Sequence, residues 1–236
     1  MRVHGISRKT CHGDAMNIVD LTVPIGRDTY SPPSVNQPIR IEEHYKEPGF
    51  WMVSEITMML HAGSHVDFTK HYSADGETAE QVLLDRTCGE AVLIDLTPIE
   101  PDYDITPEDL AAAAPEIRPG DIVLVRTGWS DLAWGDFPGY YVESPACTPE
   151  AARWLAGTGA KAIGFDCFPE RAAKKQNYLP SEFVVHEIIG DSGAILMQTL
   201  TNLSALPADR RFMFYAAFLK VSGGEGAPAR FFAILA

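Results

Sequence analysis

Basic residues are in short supply in this chain. Nineteen lysines and arginines stand against 32 aspartates and glutamates, a net charge of −13 over 236 residues. Nucleic acid and anionic membrane both call for a positive surface, so the deficit excludes both as partners. Also missing is any run approaching the roughly 18 apolar residues that span a bilayer. Residues 1–15 are polar and mixed in charge, and they lack the apolar stretch of a secretory signal. Cysteine is sparse: Cys11, Cys88, Cys147 and Cys167 occur singly, with no CxxC spacing. Scattered thiols of this kind read as reduced, in a cytoplasmic protein, with Cys167 an inert core thiol. There is no internal repeat and no linker-like segment.

What remains is a chain with 46% hydrophobic residues, enough for a substantial core. Residues 1–15 read as a flexible tail, with His4 and His12 exposed on it; Met16 is an alternative start. Residues 16–236 read as one domain. Strand character recurs at 17–24, 51–60, 90–96, 121–127, 161–166, 193–198 and 230–235, in runs of β-branched and aromatic residues bounded by Gly, Pro and Asp. Between them, Thr106-Pro-Glu and Thr148-Pro-Glu each open a helix with a capping threonine and a proline at the first helical position. A third helix is predicted over 181–189, ending at Gly190. Helices followed across a turn by apolar strands predict a single mixed α/β domain.

The densest chemistry lies in His61-Ala-Gly-Ser-His65-Val-Asp67-Phe-Thr-Lys-His71, where three of the seven histidines and an aspartate fall within eleven residues. On a helix, Asp67 would point about 200° away from His65. On a continuous strand, His61 and His65 would stand about 13 Å apart, too far to share an ion held at about 2 Å. A strand that turns sharply at Ala62-Gly63-Ser64 and resumes at His65 solves the problem, because glycine tolerates the backbone angles required. His65 and Asp67 then point the same way, about 6.6 Å apart along the strand. Two imidazoles and a carboxylate leave coordination positions open, which is the catalytic pattern rather than a closed structural one. The bland alternative for the same residues is a hydrogen-bonded polar patch.

With these residues in place, the chain resembles the metal-dependent cyclase family of hydrolases, which includes bacterial kynurenine formamidase and isatin hydrolase. The family motif His-x-Gly-Thr-His-x-Asp-x-Pro-x-His stands here as His61-Ala-Gly63-Ser64-His65-Val-Asp67-Phe-Thr69-Lys-His71, with Ser64 for Thr and Thr69 for Pro. The likeness continues through Asp20-Leu-Thr-Val-Pro24, Arg126-Thr-Gly-Trp129, Gly164-Phe-Asp166, His186 and Gln198-Thr-Leu-Thr-Asn-Leu203. The resemblance implies the swivelling β/β/α fold and a homo-oligomer acting on a small-molecule substrate. It implies that His61, His65 and Asp67 bind Zn²⁺ or Mn²⁺ and that His71 transfers protons. His71 as an orienter of Asp67 is the competing role. His186 and position 198 would supply a second metal site or substrate contacts. The family has an acidic residue at that last position. A neutral amide is the weaker ligand, so Gln198 favours one ion over two.

The implied reaction is hydrolysis of a small aryl formamide or cyclic amide. A ring-closing or dehydrating relative, a binding protein that kept the metal pocket, and a metal-free structural protein are the alternatives. Trp51, Phe68, Trp129 and Phe168 flank the motifs as candidate pocket walls. The cluster Arg171, Lys174 and Lys175 is a candidate contact for a substrate carboxylate.

Overall fold

The computed structural model describes residues 16–235; the expected tail, with His4, His12 and Cys11, lies outside them. In chain order the strands are β1 (Asn17–Asp20), β2 (Arg40–Lys46), β3 (Trp51–Thr57), β4 (His65–Asp67), β5 (Cys88–Asp95), β6 (Asp104–Ile105), β7 (Ile122–Arg126), β8 (Ala146–Cys147), β9 (Ala162–Phe165), β10 (Ile195–Gln198), β11 (Phe212–Phe218) and β12 (Gly226–Leu235). The α-helices are α1 (Pro107–Ala113), α2 (Trp129–Ala133), α3 (Gly139–Val142), α4 (Pro149–Gly157) and α5 (Val184–Asp191).

Eight strands form one sheet in the order β1-β12-β11-β5-β7-β9-β10-β4, and β4 also pairs with β12. That extra pairing brings the two ends of the sheet together, so the domain is a mixed α/β fold around a barrel-like sheet. Strands β5, β7, β9 and β10 run parallel to one another, as strands separated by helical crossovers do. Strict alternation of side chains then sorts the core into two layers. Leu93, Leu124, Met197, Phe214 and Phe231 fill the inside of the barrel. Ile94, Val125, Ile163, Phe165 and Leu196 face outward and pack against the helices through Leu110, Leu155, Val185 and Ile189.

The helix signals work as their chemistry predicts. Thr106 caps α1 in a reciprocal capping box with Asp109, and Thr148 Oγ1 accepts the Ala151 amide at the start of α4. The third helix starts later than predicted: Pro180–Glu182 first makes a separate 3₁₀ turn, and α5 begins at Val184. Four strands carry no signal in the sequence: β6 and β8 are two residues each and pair only with one another, too short to show a period. In β2, Arg-Ile-Glu-Glu-His-Tyr-Lys has no buried residue and forms only a hairpin with β3, so no apolar alternation marks it. In β11, apolar residues occupy outward as well as inward positions, which hides the period.

Candidate metal centre

The chain turns sharply just before β4. Gly63 has φ of +69°, and a Cβ there would come within 2.5 Å of Ile25 Cγ2, so glycine is required by both angle and space. Ser64 fixes the turn from both sides: its hydroxyl accepts the Val23 amide at 3.0 Å and donates to the Thr199 carbonyl at 2.6 Å. Strand β4 then carries His65 and Asp67 on its outward face while Val66 points into the barrel. Gln198 stands opposite His65 in the β10–β4 register. Helix α5 lies over this face and brings His186 down onto it. Finally, Thr69–His71 forms one 3₁₀ turn without the family's proline. That turn stacks His71 on His61 with ring centroids 4.1 Å apart.

Asp67 is the centre of the arrangement, and its two oxygens serve different partners. Oδ1 lies 2.7 Å from His61 Nδ1 and 3.3 Å from His65 Nε2. Oδ2 accepts from Gln198 Nε2 at 2.5 Å and lies 3.4 Å from His186 Nε2. One ligand atom from each of His61, His65 and Asp67 falls within 4.8 Å of the others. His65 donates through Nδ1 to the Gly63 carbonyl at 2.8 Å, which leaves the Nε2 lone pair facing Asp67. His61 lies between two carboxylates, with Glu225 Oε1 3.3 Å from its Nε2.

Three buried polar atoms here lack a hydrogen-bond partner: His61 Nε2, His65 Nε2 and Gln198 Oε1. Buried acceptors are rarely left unpaired, so an unpaired His65 Nε2 3.3 Å from the Asp67 carboxylate, with the Gln198 oxygen also unpaired, matches a cation. The backbone also makes room for the His61 ring: a Cβ at Gly226 would come within 2.5 Å of His61 Cε1. The residues present therefore fit a divalent ion.

The electrostatics agree. Burial works against the Asp67 charge, but the surrounding histidines hold its carboxyl well below the usual range. Burial likewise opposes a charge on His61, yet Asp67 and Glu225 raise it to about 9. A proton and a metal ion thus compete for the same place. His71 goes the other way: burial and its histidine neighbours push it down to about 3, so its imidazole is neutral. Burial disfavours a charge on His186, while Asp67 and Glu170 favour one, with a net rise. The Gln198 amide nitrogen 2.8 Å from His186 Nε2 can only donate, and that contact runs against the rise because it calls for a lone pair on Nε2.

A cavity of about 100 Å³ opens over the site, lined by Met59, Tyr178, Phe183, Phe168 and the four histidines of the site among others. Phe183 stacks on His186 with centroids 4.2 Å apart. The structure thus gathers His61, His65, Asp67, His71, His186 and Gln198, with Phe168 in the wall. The other three candidate wall residues lie elsewhere. Trp51 is 67% exposed on the β2–β3 hairpin. Phe68 is buried inside the barrel against Phe218. Trp129 is buried in the helix layer, where its Nε1 donates to the Tyr140 carbonyl.

The basic cluster does not reach the cavity either. Arg171 pairs with Asp102 and Asp104, Lys174 with Asp102 and the Ser144 carbonyl, and Lys175 lies 3.8 Å from Glu182. A substrate carboxylate in the cavity does not meet these residues, whose partners are Asp102, Asp104 and Glu182. Residues the sequence reading passed over are Glu170, Glu225, Tyr178 and Phe183. Only Glu170 had a signal, standing four residues past Asp166 on the segment that leaves β9.

Comparison with known proteins identifies relatives of the chain. The Cyclase family model matches residues 19–169. A kynurenine formamidase from Erythrobacter litoralis is 33% identical over 114 residues, covering 48% of this chain and 48% of that protein. The chain thus spans about half the length of such curated relatives. Among solved structures, isatin hydrolase A from Labrenzia aggregata bound to benzyl benzoate superposes with a TM-score of 0.76 at 29% identity, covering 93% of this chain and 94% of that one. An isatin hydrolase bound to the product analogue thioisatinate gives a TM-score of 0.79 at 23% identity, covering 93% and 92%, and speaks for the fold alone. With the motif, the ligand geometry and a family match over most of its length, the chain belongs to the cyclase family.

Proposed function

We propose that this protein is a metal-dependent amidohydrolase that cleaves a small aryl formamide or cyclic amide, using one divalent ion, Zn²⁺ or Mn²⁺. The observation that carries this reading is that ligand atoms of His61, His65 and Asp67 lie within 4.8 Å of one another at the cavity, with His65 Nε2 buried and unpaired. A kynurenine formamidase and isatin hydrolases among its relatives support the same bond type. A divalent ion held there supplies Lewis acidity toward the amide carbonyl and toward water.

The chain's own residues supply the rest. His71 lines the cavity and makes no side-chain hydrogen bond among the described residues. It is placed to take a proton from the attacking water and return it to the leaving nitrogen. Phe168, Tyr178, Phe183 and Met59 form an apolar wall suited to an aryl ring. Gln198 supports a single ion, because its N–H already occupies Asp67 Oδ2. Among the described residues none that lines the cavity is an Asp, Glu, Lys or Arg.

Elemental analysis together with a panel of aryl formamides, lactams and lactones tests the reading. One ion per chain and turnover of an aryl amide are expected. Metal bound without turnover of any of them would assign the pocket to a binding protein instead. The cytoplasmic, homo-oligomeric setting belongs to the same proposal, and sedimentation of the purified protein checks the assembly. No helix among the described residues is long and apolar enough to cross a membrane.

A further inference from the structure

Glu170 is a carboxylate buried to 2% exposure with no lysine or arginine paired to it among the described contacts. Its Oε2 accepts two hydrogen bonds, from the Val185 amide at 2.9 Å and from His186 Nδ1 at 3.2 Å. A buried acidic group is costly unless hydrogen bonds hold it, and both bonds here come from the start of α5. The hydrogen-bond inventory shows what it orders. Gln198 Nε2 lies between Asp67 Oδ2 and His186 Nε2, at 2.5 and 2.8 Å. An amide nitrogen only donates, so both its hydrogens are used and both neighbours are acceptors. His186 Nε2 therefore carries a lone pair, and its one proton sits on Nδ1, facing Glu170. Turning the Gln198 amide over would set two acceptor oxygens against each other at Asp67. His186 Nε2 also lies 3.4 Å from Asp67 Oδ2, but the 2.8 Å contact with the Gln198 amide is the shorter and assigns the series: Glu170 accepts from His186, His186 accepts from Gln198, and Gln198 donates to Asp67.

We infer that Glu170 is a positioning residue: by holding His186 in the Nδ1–H tautomer it fixes the Gln198 amide, which keeps an N–H on Asp67 Oδ2 and reserves Oδ1 for the ion. The tautomer stands on hydrogen-bond geometry alone; the kinetic consequence rests on the hydrolase reading. Glu170 does not itself line the cavity and makes no hydrogen bond to His61, His65 or Asp67, so it reaches the site through His186, which does line it.

The test is nitrogen-15 NMR of the histidine rings in the zinc-loaded full-length protein, with Glu170→Leu and Glu170→Gln as variants. The wild type is expected to show His186 as the neutral Nδ1–H tautomer. Glu170→Gln keeps an acceptor oxygen and is expected to retain both the tautomer and the amidase rate. Glu170→Leu is expected to lose the single tautomer and about 10-fold in kcat/KM, the low end for partners of a metal ligand because Glu170 acts on Asp67 through two intermediaries. A wild-type His186 protonated at Nε2 would overturn the inference whether or not the leucine variant folds. So would a leucine variant with unchanged tautomer, or a glutamine variant as impaired as the leucine one. Absence of amidase activity in the wild type would sink the hydrolase reading while leaving the tautomer result to decide this one.

Discussion

Replacing Gln198 by Glu should change the number of metal ions this protein holds. The amide donates to Asp67 Oδ2 at 2.5 Å. A carboxylate in its place would set two negative oxygens at that distance. With an effective dielectric of about 20, two unit charges so close repel by roughly 6–7 kcal/mol. That is equivalent to a shift of roughly 4–5 pKa units, at about 1.4 kcal/mol per unit. The variant has two ways out: to hold a proton between the carboxylates, or to bind a second cation between Asp67, Glu at position 198 and His186. In excess Zn²⁺ the second is expected, since two carboxylates and an imidazole are a competent ligand set. The assay is elemental analysis after exhaustive dialysis, together with thermal melts with and without metal. The wild type is expected to hold one ion per chain and Gln198→Glu two, with a metal-dependent Tm increment larger than the wild type's. A wild type with two ions, or a variant that stays at one with an unchanged melt, would refute the claim that the Gln198 N–H stands where a second cation would.

Other outcomes follow from the same geometry. His71→Ala should leave the ion bound and lower the amidase rate by about 10²–10⁴-fold, the range for a lost proton carrier; loss of metal in this variant would make His71 a ligand instead. Gly226→Ala places a Cβ within 2.5 Å of His61 Cε1, so it should weaken metal binding in an equilibrium titration while the fold, read by circular dichroism, persists. Gly63→Ala combines a positive φ with a 2.5 Å clash on Ile25 and should cost about 1–3 kcal/mol in urea denaturation. Joint substitution of Arg171, Lys174 and Lys175 should leave KM unchanged in steady-state assays, since their charges are spent on Asp102, Asp104 and Glu182.

The His61–His71 segment states its own chemistry in sequence. Ligand types, their spacing and the need for a turn at Gly63 follow from strand geometry and the reach of an imidazole, and the capped helices follow from Thr-Pro-Glu. The aromatic candidates show where such reasoning stops. Trp51, Phe68 and Trp129 sit next to motifs in the chain, yet in space one is on an exposed hairpin and two are in separate core layers. Adjacency in sequence does not say which side of a barrel a side chain faces. The pairing of β4 with both β10 and β12, the descent of α5 onto the outer face, and the meeting of residues as distant as Asp67, Glu170, Gln198 and Glu225 were decided by tertiary structure alone. The physical reason is that these contacts join segments far apart along the chain. No local propensity encodes which oxygen of Asp67 will face the histidines and which the amide; only the closed sheet settles that.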